Sequence, residues 1–83
     1  MRIYGYEDTG QPVDTVIPSP LAEITLNATA AELRSLADFL RLCADEMDRM
    51  GAHFDHLHLS DRFKEFRTSP HFVVFRDRSK SVV

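Results

Sequence analysis

Residues Thr29–Gly51 read TAAELRSLADFLRLCADEMDRMG, and the reading of that stretch decides the fold. Thr29 and Glu32 are spaced as a capping box: a hydroxyl and a carboxylate, each able to take one of the free N–H groups at a helix start. Behind them Leu33, Leu36, Ala37, Leu40, Cys43, Ala44 and Met47 recur at the three-and-four spacing of one helical stripe. Gly51 stands where a helix wants a left-handed C-cap. The pattern predicts a helix over about 30–50 that packs Leu33, Leu36, Leu40 and Met47 on a sheet. Arg34, Asp38, Arg41, Asp45 and Arg49 fall on the other side and read as a solvated, salt-bridged surface. Leu42 points nearly opposite the stripe and Phe39 lies on its margin, which hints at a contact surface.

Upstream of the helix, Ala22, Ile24, Leu26 and Ala28 alternate with polar residues, the period-two pattern of a half-buried strand over 21–28. Before it, Arg2–Tyr6 is a short β-like run with tyrosines at alternate positions. Residues 7–20 hold Gly10 and three prolines and read as turn and irregular chain. Downstream, His53–Ser60 (HFDHLHLS) carries three of the four histidines. Read as a strand, it sends Leu57 and Leu59 with Asp55 toward the core. Phe54, His56, His58 and Ser60 then lie on the opposite face. Phe63 and Phe66 are spaced for a helical turn, Thr68-Ser69-Pro70 ends it, and Phe72–Phe75 forms a last strand. The order β-β-α-β-β describes a two-layer α+β domain over residues 1–76: about four mostly antiparallel strands, with one long helix across one face. Residues 77–83 read as a flexible tail.

Composition narrows the function. A chain of 83 residues with 43% hydrophobic and 28% charged side chains is a small globular domain with little room for a deep catalytic cleft. The lone Cys43 excludes an internal disulfide and sits in the helical apolar pattern, so it reads as a buried, inert thiol. No apolar run is long enough to cross a membrane and no signal peptide follows Met1, which points to the cytoplasm. The net charge of −3 is uneven: residues 1–51 carry four basic and nine acidic groups (−5), residues 52–83 six and four (+2). An acidic first half argues against binding a phosphate backbone and suits a basic protein partner.

The strand pair of histidines, His56-x-His58, has real ligand geometry for zinc. A zinc site needs a third and usually a fourth ligand, and His71 is the only candidate helper, its position depending on the strand order. No nucleophile elbow, phosphate loop or His-Glu-x-x-His motif is present. The expectation is therefore no catalytic residue, no metal and no cofactor. A metal-dependent enzyme using His56 and His58 and a small nucleic-acid-binding domain remain as the alternatives. Alternation places His56 and His58 with Glu23 and Thr25 on the sheet face away from the helix, and Arg2, Tyr4 and Tyr6 join them if Ile3 and Gly5 face inward. Tyr4, Tyr6, His56 and His58 are residue types that anchor protein interfaces, and they form the candidate partner-binding set.

Three passages carry a family likeness: Ile3-Tyr4-Gly5-Tyr6-Glu7, then Glu23-Ile24-Thr25-Leu26 leading to Ala31-Glu32-Leu33, then His56-Leu57-His58-Leu59-Ser60-Asp61. Together they resemble the predicted immunity proteins of bacterial polymorphic toxin systems over residues 1–76. The resemblance implies a small α+β protein that binds and neutralises a cognate toxin domain and has no catalytic activity of its own.

Overall fold

The capping box forms as its spacing predicts. In a computed structural model that describes residues 1–78, the Thr29 N–H donates to Glu32 Oε1 at 2.8 Å and the Glu32 N–H donates to Thr29 Oγ1 at 3.1 Å. Helix α1 then runs from Ala30 to Met50 and ends on Gly51, whose φ is +56°. Removing the Thr29 hydroxyl frees an N–H group at the helix start, so Thr29→Ala should lower stability by about 1 kcal/mol. Thr29→Asp should stay near the parent in a urea melt, because a carboxylate also accepts that bond.

The elements follow the expected order β-β-α-β-β. Strand β1 (Tyr4–Gly5) pairs antiparallel with β2 (Ser19–Pro20), and β3 (His56–His58) pairs antiparallel with β4 (Val73–Phe75). A four-residue helix, α2 (Leu59–Arg62), and a short helical turn at Lys64–Phe66 lie between β3 and β4. The result is a small α+β fold in which the four strands form two separate two-stranded sheets.

The second strand is not where alternation puts it. It occupies Ser19–Pro20, and residues 21–29 take no regular secondary structure and are exposed throughout. The hairpin closes with the Leu21 N–H donating to Ile3 O at 2.8 Å, where Leu21 packs so closely over Gly5 that a Cβ there would lie 2.9 Å from Leu21 Cδ1. Beyond Leu21 the chain leaves the hairpin without a neighbouring strand. Alternation marks a segment's two faces, but a ladder also needs a partner alongside.

Without a sheet beneath residues 21–28, α1 turns a different face inward. Phe39 (0% exposed) and Cys43 (2%) are its buried residues, while Leu33 and Leu40 stand about half exposed. The expected packing of Leu33 and Leu40 is thus corrected: at about 100° per residue, the buried face is rotated roughly 70° toward Phe39. Apolar residues cover a wide arc of this helix, so period alone does not choose among its faces. Packing does. Phe39 meets Phe63 and Phe72 edge-on at centroid distances of 6.3 and 6.4 Å. The core cluster is Phe39, Cys43, Leu59 and Phe66, flanked by Leu36, Leu57, Phe63, Phe72 and Val74. All of it comes from α1 and the chain after it. The β1–β2 hairpin adds nothing to this cluster.

The β3–β4 ladder extends beyond its strands, since the Leu59 N–H donates to Phe72 O at 2.9 Å and the Arg76 N–H to Asp55 O at 3.0 Å. Leu57 faces the core as alternation predicts, but Leu59 reaches it as the first residue of α2. Phe54, expected on the histidine face, is 2% exposed instead. It precedes β3 as the cap of a helical turn over Gly51–His53, so strand alternation does not govern it. Two arginines tie this corner together: Arg76 Nη2 donates to Met47 O at 2.8 Å, and Arg78 Nη2 to Phe54 O at 2.8 Å and Ala52 O at 3.1 Å. Of the expected tail, 79–83 lie outside the described residues, while Arg2 pairs with Asp77 at 3.3 Å. Among the described residues, no helix is long and apolar enough to cross a membrane.

Candidate functional site

His56 and His58 project from the same side of β3, with ring centroids 5.2 Å apart. The antiparallel register sets His56 opposite Phe75 and His58 opposite Val73. As a result the His56 ring stacks on Phe75 at 4.8 Å with the planes 22° apart, and Phe75 remains 62% exposed. On the other side His58 meets His71 edge-on at 6.4 Å. The four rings of His71, His58, His56 and Phe75 make a continuous patch. His56 is fixed further by Asp55, whose Oδ2 lies 2.6 Å from His56 Nδ1. An ionised carboxylate can only accept, so Nδ1 carries the hydrogen and Nε2 is left for other partners. Arg78 approaches the second oxygen of Asp55 at 3.9 Å.

Tyr4 and Tyr6 are both about half exposed, Tyr4 in β1 opposite Pro20 and Tyr6 just beyond the strand. The structure therefore brings His56 and His58 together, and sets the two tyrosines on a different sheet. The Arg2–Asp77 ion pair links the start of the first hairpin to the end of β4. Phe75 is the member of the histidine patch that sequence reasoning missed, while the sequence suggests His71 beside His56 and His58 without fixing its position. The signal for both was the period of two in His71, Val73 and Phe75, which becomes informative only once the β3–β4 register is known.

Among the described residues, no three His, Cys, Asp or Glu side chains converge as a metal-holding group. Cys43 is buried, and its burial pushes the thiol pKa up against a smaller opposing pull from Arg62. A thiol in that state is a poor nucleophile. A depression of about 310 Å³ between the end of α1 and β3 is lined by Glu46, Arg49, Asp55 and Arg62 beside Phe54 and His56. Met50 and Leu57 complete its wall, which mixes charged and apolar side chains.

The structure thus defines a small α+β domain whose second sheet displays imidazole and phenyl rings. A more particular assignment comes from comparison: the family model for Immunity protein 32 matches residues 23–77, and the chain belongs to that family. The match takes in α1, the whole core cluster and the histidine patch, and begins after the β1–β2 hairpin. No curated protein and no solved structure matches the chain.

Proposed function

We propose that this protein is an immunity protein that binds a cognate toxin domain in the cytoplasm and holds it inactive, without catalysis of its own. The observation that carries this reading is the family match across residues 23–77. The contact surface is assigned to Tyr4 and Tyr6 on the first hairpin and to His56 and His58, with Phe75 and His71, on the second. Exposed rings that are already stacked on one another lose little side-chain freedom on binding, which favours them as anchors. The excess of acid in residues 1–51 fits a basic partner and would speed its approach.

Co-expression with a candidate cognate toxin domain tests the role. The parent protein should restore growth. A host that dies regardless of it would remove the immunity reading. The site is tested separately with purified proteins. His56→Ala and Tyr4→Ala should each weaken binding about tenfold or more, mainly by faster dissociation. Added salt should slow association instead. Parent-like binding by the double variant would show that the toxin docks elsewhere. Because the two residues stand on separate sheets, the single variants also report which sheet the partner covers.

A further inference from the structure

The segment 22–28 is patterned as a strand and used as none. Its residues are all exposed, with Ile24 at 44% and Leu26 at 52%. Among the described residues no hydrogen bond ties its backbone to the rest of the chain; the hairpin's last bond is at Leu21 and the helix cap begins at Thr29. Natural proteins guard such edges with lysine, proline or a covering element. Residues 22–28 contain neither lysine nor proline.

We infer that this segment is a dimerisation edge that pairs antiparallel with the same segment of a second copy, about a two-fold axis at Thr25. The sequence is self-complementary about that residue. Ala22 falls opposite Ala28, Ile24 opposite Leu26, Glu23 opposite Asn27, and Thr25 opposite itself. One face of the pair is then wholly apolar and the other carries a Thr–Thr pair, favourable across strands, between two Glu–Asn pairs. Glu23, the segment's one charge, meets an amide and never its own copy. Any alternating segment would put its apolar faces together in this way; what this one adds is a match of size, small with small at its ends and large with large beside the axis, which a two-fold interface requires. An interface also needs on the order of 1,000 Å² of buried surface, more than a short strand pair contributes. Leu33, Leu40 and Ala44, exposed on α1 just after the segment, offer further apolar area from each copy.

The inference concerns the chain alone and does not rest on the immunity reading. Sedimentation of the full chain should show a dimer at concentrations on the order of 100 µM, and Ile24→Lys, at an exposed position, should give a folded monomer. Under mild oxidation Thr25→Cys should cross-link copies. Antiparallel neighbours have Cα atoms about 4.5 or 5.5 Å apart, both within the roughly 4.4–6.8 Å that a disulfide spans. Glu23→Cys, displaced from the axis, should cross-link far less, and buried Cys43 should not compete. A parent chain that stays monomeric, or equal cross-linking at positions 23 and 25, would overturn the proposal. A monomer whose toxin binding fails on Ile24→Lys would also overturn it, and would assign the edge to the toxin.

Discussion

Phe39→Ala should remove most of the chain's folding stability at room temperature. Phe39 has no exposed surface and holds Phe63 and Phe72 edge-on. Its removal takes out the centre of the contact between α1 and the second half of the chain. Truncating a buried phenylalanine costs about 3–5 kcal/mol, and a domain this small sits near the low end of the usual 5–15 kcal/mol of stability. Leu40, the next residue, provides the control. It is 45% exposed, so Leu40→Ala should cost about 1 kcal/mol or less. Urea melts followed by helical circular dichroism would separate the two. If Leu40→Ala proved the more damaging, α1 would bury the face that its sequence period suggests and not the one described above.

That contrast shows how far the sequence can be read. The helix, its cap at Thr29 and its end at Gly51 rest on interactions between residues three and four apart, so they are legible locally. The face that α1 buries is not. Leu33, Leu36, Phe39, Leu40 and Cys43 span an arc wide enough for several packings, and Phe63 and Phe72, which choose among them, lie far along the chain. The same limit explains the strand at 21–28. Ala22, Ile24, Leu26 and Ala28 alternate correctly, but the hairpin runs out at Ile3–Leu21 and no strand stands beside them. His56 and His58 were legible as a pair because alternation is local. Their contacts with Phe75 and His71 depend on the register of β3 against β4, which only the fold supplies.

Gly51→Ala should destabilise the protein by about 1–3 kcal/mol, although the new methyl group would touch nothing. Gly51 has φ +56° and ψ −131°, a combination that L-residues avoid. A Cβ built there finds no atom within 4 Å, so the penalty is torsional and owes nothing to crowding. The position matters because the chain reverses there. The Gly51 N–H closes α1 on Met47 O, which also accepts from Arg76, and the next residues lead through buried Phe54 into β3. Chirality supplies the decisive comparison. The mirror image of this conformation, φ −56° and ψ +131°, lies close to the polyproline region that L-residues favour. D-alanine at position 51, introduced by ligation of a synthetic segment at Cys43, should therefore fit without strain. By restricting the unfolded chain it should raise stability by about 0.4–1 kcal/mol. Thermal melts of the glycine, L-alanine and D-alanine forms should rank D-alanine highest and L-alanine lowest. If the two enantiomers melted together, the backbone at Gly51 would not adopt this turn, and the path by which α1 positions His56 and His58 would have to be redrawn.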